Sequence, residues 1–149
     1  MYKHILVAVD GSDTSNLALK EAVKLTKEQD ALLLVVHVVD ETPAYSMTDI
    51  PFPISAYQKV MREAGEKVFA ECSSTIQTAG IKFQKKCIVI DSLLKRICEA
   101  ISEEAKSWPA DLIVIGTHGR HGFDRLLLGS VAEGVIRIAT KPVLIIRGA

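Results

Sequence analysis

The densest chemistry in the sequence lies between Gly116 and Ser130, which reads Gly116-Thr117-His118-Gly119-Arg120-His121-Gly122 and ends in Leu128-Gly129-Ser130. These residue types at this spacing suit the holding of an anion. Glycines allow backbone N–H groups to approach a ligand closely. Gly129-Ser130 opens a predicted helix, where free N–H groups and the helix dipole favour phosphate. Ser130 adds a hydroxyl donor, and Arg120 and Arg125 are nearby cations. Five of the nine glycines fall between Gly116 and Gly134, so the segment is far richer in glycine than the rest. Turn formation or helix capping would account for one glycine. Three ordered glycines and Ser130, set between a strand and a helix, point to phosphate binding.

The spacing excludes several other anion sites. A Walker loop needs a lysine before the hydroxyl residue, whereas Gly129 runs directly into Ser130. A dinucleotide fingerprint belongs after the first strand, where Asp10-Gly11-Ser12 carries a single glycine. His118-Gly119-Arg120-His121 superficially matches the HxGH signature of adenylyl-transferring enzymes, but its glycine is misplaced and it follows the fourth strand. His118 and His121 are titratable groups near the loop. Neither receives a catalytic role, because no nucleophile or positioned carboxylate accompanies them.

The elements that must position this loop follow from hydrophobic periodicity. Ile5–Val9 is a continuous apolar run, as expected of a strand buried on both faces. Asp10-Gly11-Ser12-Asp13 breaks it, and Ser12 or Asp13 can cap a helix over Thr14–Glu28. Ala31–Val38 is a second buried strand. Glu41–Ile54 contains Pro43, Pro51 and Pro53 and reads as a mobile loop. Ser55 and Gln58 form a candidate capping box for a helix bearing Tyr57, Met61, Ala64, Val68, Cys72 and Ile76 on one face, ended by Gly80. Ile81–Ile90 is a third strand, more polar at its start. Ser92 is a candidate cap for a helix with Leu94, Ile97, Cys98, Ile101 and Ala105 on one side. Leu112–Ile115 is a fourth strand, Ser130–Ala139 a short helix, and Val143–Ile146 a fifth strand. Alternating apolar strands and helices predict an α/β fold: a doubly wound parallel sheet with helices on both faces.

The whole-chain arithmetic agrees. A length of 149 residues suits a single domain spanning 1–149, and 48% hydrophobic residues can fill a core. Eighteen basic and eighteen acidic side chains leave zero net charge, which argues against nucleic acid or an anionic membrane as partner. Cys72, Cys87 and Cys98 form no CxxC pair and read as reduced thiols, with Cys72 and Cys98 as core filler. No apolar run approaches the length of a membrane span, and the expected location is the cytoplasm.

The run Gly116-x2-Gly119-x9-Gly129-Ser130 resembles the ATP-binding motif of the universal stress protein family. The resemblance extends along the chain, through His4–Ser12, His37-Val38-Val39, Ala110–Gly116 and Lys141-Pro142-Val143-Leu144. It implies a five-stranded, Rossmann-like sheet of order 3-2-1-4-5. Asp10 and the Gly116 loop then flank one crevice. It further implies that Asp10 lies by the ribose and base, with a turn or capping aspartate as the alternative. Ala8, Val9 and Val38 would border the adenine, or simply pack in the core. Gly116 and Gly119 would approach ribose and phosphate, while Gly129, Ser130 and Val131 would contact phosphate. Arg120 would meet phosphate, or remain a solvated loop cation. The implied cofactor is ATP with Mg²⁺. Asp124 is a candidate for the ion, or a surface aspartate.

The implied function is a nucleotide-binding stress-response regulator. The alternatives are a slow ATPase or phosphotransferase and a nucleotide-free dimeric scaffold. No base or Walker-type lysine is evident, which favours binding over turnover. With order 3-2-1-4-5, Val143–Ile146 is an uncharged apolar edge, and the resemblance implies a homodimer joined there.

Overall fold

The computed structural model describes residues 1–46, 53–118 and 128–148. Its elements are β1 (His4–Ala8), α1 (Asp13–Gln29), β2 (Leu32–Asp40), a 3-10 turn (Thr42–Ser46), α2 (Ile54–Ala79), β3 (Lys82–Ile90), α3 (Ile97–Ser107), β4 (Leu112–Gly116), α4 (Ser130–Ile138) and β5 (Val143–Ile146). All strand pairings are parallel and the order is β3-β2-β1-β4-β5. The doubly wound α/β fold expected from the alternation of strands and helices is the one observed.

Strand alternation divides the core into two layers. Ile5, Val7, Leu33, Val35 and Val114 pack with Ala18, Leu19, Ala22, Val68, Cys72 and Ile76 beneath α1 and α2. Leu6, Leu34, Val36, Ile113 and Ile115 pack with Cys98, Ile101, Ala105, Ala132 and Val135 beneath α3 and α4. Each large apolar side chain so buried contributes about 1.5–3 kcal/mol. The central strands are therefore fixed from both faces, and their carboxyl ends have a firm base. Cys72 and Cys98 fill core positions as expected, and burial pushes the Cys72 thiol up to about 11.

Local chemistry sets the helix ends. Ser12 caps α1, its Oγ accepting the Ser15 N–H at 3.2 Å. Gly80 ends α2 in the left-handed region at φ +66°, where glycine carries no Cβ penalty. Two expected caps are not used. The residue before α2 is Pro53, with no side-chain cap, and Gln58 Nε2 instead donates to Glu41 Oε2 at 3.1 Å. Glu41 is buried and also accepts from Arg62 Nε at 3.1 Å. A desolvated carboxylate needs donors more than an exposed helix end does, and it recruits Gln58.

The Ser92 cap fails for a different reason. Ser92 Oγ accepts the Leu94 N–H within a turn, and Leu94 is 93% exposed rather than on a packed helical face. α3 starts later, where Glu99 reaches back to Arg96: its Oε2 accepts the Arg96 N–H at 2.9 Å and its Oε1 accepts from the guanidinium at 3.0 Å. The loop expected over Glu41–Ile54 contains the short 3-10 turn. Asp40 Oδ1 holds its start by accepting the Thr42 N–H at 2.9 Å.

Candidate functional site

β1 and β4 are adjacent, but their chains leave in opposite directions: β1 enters α1, on one face of the sheet, and β4 runs toward α4, on the other. Open α/β sheets bind ligands at such a switch point, outside the carboxyl ends of the strands. A cavity of about 510 Å³ lies there. That volume is within the range of small-molecule sites. Ala8, Val9, Asp10, Val38, Gly116, Gly129, Ser130 and Val131 all line it. The structure thus brings together every described residue expected at the site. Gly119 and Arg120 lie outside the described residues, as do His121, Asp124 and Arg125.

The wall nearest α4 begins at β4. Thr117 follows the strand and is bonded in three directions. Its N–H donates to the Ile146 carbonyl at 2.9 Å, and its carbonyl accepts the Gly129 N–H at 2.7 Å. Its Oγ1 lies 2.8 Å from His118 Nδ1. The His118 carbonyl accepts from the hydroxyls of Thr14 and Ser12, which ties the loop to the first turn of α1. His118 Nε2 is buried and has no hydrogen-bond partner among the described residues. A buried polar atom beside a cavity is a natural contact for a bound polar group.

α4 opens into the same cavity. Gly129 is its N-cap and supplies no side-chain cap, while Ser130 is exposed and lines the cavity. The N–H groups of the first helical turn lack intrahelical acceptors and are suited to an anion. The Glu133 carboxylate in this turn is paired with Arg137 at 2.7 Å. Two glycines here are also demanded by the protein itself. A Cβ at Gly116 would sit 2.8 Å from the Thr14 backbone, and one at Gly129 would sit 2.7 Å from the Thr117 carbonyl.

The opposite wall is more apolar. Met61 and Ala64 from α2 and Ile97 and Ile101 from α3 line it. Met61 and Ala64 were expected on the packed face of their helix; they are half-buried because that part of the face meets the cavity. Asp10 lines the rim, and its Oδ1 accepts the Ser12 N–H at 2.9 Å. The turn role weighed for Asp10 is therefore real, alongside its place in the cavity. Tyr57 of α2 has its phenol pushed up by burial and then by Asp40 and Glu41. Sequence reasoning assigned no role to His37, Asp40 or Thr117, all of which line the cavity. The signal available was position alone: His37 and Asp40 lie at the carboxyl end of β2, and Thr117 directly follows β4.

The model of the universal stress protein family matches residues 1–147. The chain belongs to this family. It is similar to a universal stress protein of Methanocaldococcus jannaschii, with 35% identity over 99% of this chain and 83% of that protein. Among solved structures it resembles a universal stress protein family member from Burkholderia pseudomallei, with a TM-score of 0.77 and 31% identity. That match covers 99% of this chain and 97% of the other. It also resembles the universal stress protein of Archaeoglobus fulgidus in complex with dAMP, at a TM-score of 0.71, 26% identity and 98% coverage of both chains. This universal stress protein has a Rossmann-like sheet with its crevice at the β1–β4 switch point.

Proposed function

We propose that this universal stress protein binds ATP in the β1–β4 cavity and acts as a stress-response signalling module rather than as an efficient enzyme. The observation that carries the proposal is the meeting of an apolar cavity with the uncapped start of α4. Such a site suits a ligand with a flat apolar base at one end and phosphate at the other. The dAMP complex of the Archaeoglobus fulgidus relative supports the adenine class.

The backbone favours the same orientation. In the β1–β2 ladder Val36 faces β1, its carbonyl accepting the Val9 N–H at 2.9 Å. Val38, two residues on, faces the same side, beyond the last paired residue of β1. Its N–H and C=O suit the acceptor–donor edge of adenine. The phosphates then reach Gly129, Ser130 and Val131, with Gly119 and Arg120 as further contacts. Among the described residues no group of three or more His, Cys, Asp or Glu is placed for a metal. Mg²⁺ would be held by the nucleotide's phosphates, with Asp124, outside the described residues, as a candidate ligand. Binding positions the nucleotide, and the described residues supply no evident base for turnover.

We further propose that the chain forms one domain, resides in the cytoplasm with its thiols reduced, and pairs with a second copy along β5. All four β5 residues are partly exposed and none is charged, a poor way to leave an edge open. No helix among the described residues is long and apolar enough to cross a membrane. Mass spectrometry of the ligand that co-purifies with gently isolated protein tests the main reading. Adenine nucleotide in near-stoichiometric amount is expected. A ligand-free protein whose melting temperature ATP does not raise would refute it and favour a scaffold.

A further inference from the structure

The end of the β1–β2 ladder is set by a side chain. Val36 accepts from the Val9 N–H, so the next rung of a continuing parallel ladder would run from the Val38 N–H to the Val9 carbonyl. That carbonyl accepts instead from His37 Nδ1, at 2.8 Å. A carbonyl has no hydrogen to give, so Nδ1 carries the proton in this bond. Both Val9 and His37 are buried, at 4% and 6% exposure, so water does not readily replace the contact.

The ring is held for this task. It lies on the α2 side of the sheet, edge-on to Phe69 at 6.1 Å between ring centres. Gly65 of α2 leaves it room, since a Cβ there would stand 3.0 Å from His37 Cδ2. The Val9 carbonyl is thus satisfied by a rigid side chain, and the Val38 N–H keeps no rung to β1.

We infer that His37 is the positioning residue of the base subsite: by taking the Val9 carbonyl it stops the ladder one rung early and presents the Val38 N–H to the ligand. The ligand assignment rests on the nucleotide reading of the cavity, while the backbone role stands on the protein alone. An acceptor–donor edge such as N1 and the 6-amino group of adenine matches the Val38 N–H and C=O. Hypoxanthine carries N–H at N1 and oxygen at C6, and meets the pair with both polarities reversed. His37 therefore works through Val38 to favour adenine.

The test uses the full chain and two independent readouts. In ligand-free protein the Val38 amide is expected to exchange hydrogen rapidly, and His37→Phe to slow it by about tenfold or more as the rung to Val9 closes. His37→Asn, whose amide nitrogen can occupy the place of Nδ1, should restore rapid exchange. Gly65→Ala, which crowds the ring without removing it, should slow exchange in the same direction. Calorimetry with adenosine and inosine 5′-monophosphates gives the second readout: His37→Phe should weaken the adenosine ligand about tenfold and narrow its advantage over the inosine ligand. A Val38 amide already protected in the wild type, or unchanged in His37→Phe, would overturn the positioning role. Loss of protection across all strands would mark simple unfolding, and the wild-type amide and Gly65→Ala would then decide. If neither nucleotide binds the wild type, the nucleotide reading fails while the exchange comparison still decides the role of His37.

Discussion

Gly116 and Thr14 meet backbone to backbone: a Cβ at 116 would lie 2.8 Å from both the carbonyl carbon and the carbonyl oxygen of Thr14. The close approach joins the carboxyl end of β4 to the first turn of α1, where Ser12 and Thr14 hold the His118 carbonyl. Gly116→Ala must push α1 from the sheet, and overpacking of this kind costs about 1–3 kcal/mol. A lowered denaturation midpoint with unchanged slope is the expected result in urea.

Gly129→Ala separates the loop's packing from its ligand role. The added Cβ meets the Thr117 carbonyl at 2.7 Å, the same carbonyl that receives the Gly129 N–H. The start of α4 must shift away from the cavity. ATP affinity measured by calorimetry should fall about tenfold or more. Unchanged affinity would sink the phosphate-loop reading.

Ser130→Ala is the gentler variant. Ser130 is exposed and caps no helix, so stability should stay within about 0.5 kcal/mol of wild type. Loss of one hydroxyl contact to phosphate should weaken ATP by about fivefold to tenfold, since hydrogen bonds to charged groups are the stronger kind. Any phosphate release that persists at an identical rate in this variant belongs to a contaminant.

Asp111 ties the starts of β1 and β4 together. Its Oδ2 accepts the N–H groups of Lys3 and His4 at 2.8 and 2.9 Å, and these bonds hold its carboxyl below the usual aspartate value of 3.8. A depressed carboxyl stabilises the fold above the unfolded-state value and loses that contribution as pH falls through the folded value. Stability should therefore drop as pH falls below about 4, and Asp111→Asn should flatten that part of the profile. The side chain is 40% exposed, so screening limits the effect to under about 1 kcal/mol. Thermal melts between pH 3 and 6 would read it.

The β4–β5 register offers a clean probe of pairing between copies. Ile146 accepts from Thr117 and Pro142 accepts from Ile113, so Leu144 faces β4 while the Val143 and Ile145 N–H groups face outward. Ile145→Pro removes an outward donor and spares the β4 ladder. Wild type should scatter light as a dimer at micromolar concentration, and the variant as a monomer. A monomeric wild type would contradict pairing along β5.

The sheet was legible in the sequence because its central strands are buried on both faces, and runs such as Ile5–Val9 and Leu112–Ile115 have no amphipathic alternative. Gly116 and Gly129 were legible as positions of close backbone approach, which only glycine allows. Side-chain traffic between distant elements was less so. Gln58 reads locally as a cap partner, yet it serves a carboxylate 17 residues earlier. Arg96 does not resemble a usual cap, yet both its N–H and its guanidinium donate to the Glu99 carboxylate. His37 sits in an apolar run and gives no local sign that it will take a carbonyl 28 residues away. Such contacts depend on which elements the fold brings together, and periodicity along one element does not carry that information.

The two flanks of the sheet are finished differently. β3 carries Lys82, Lys85 and Lys86, all exposed, with Lys85 over the Phe69 ring and Lys86 paired to Glu104. β5 carries four aliphatic residues. A strand arriving at β3 would have to displace or bury charge, and a strand arriving at β5 would not. Joining two copies by their β5 flanks leaves a lysine-bearing flank at each outer end. Growth by strand addition would then terminate at ten strands, giving a finite particle in place of a fibre.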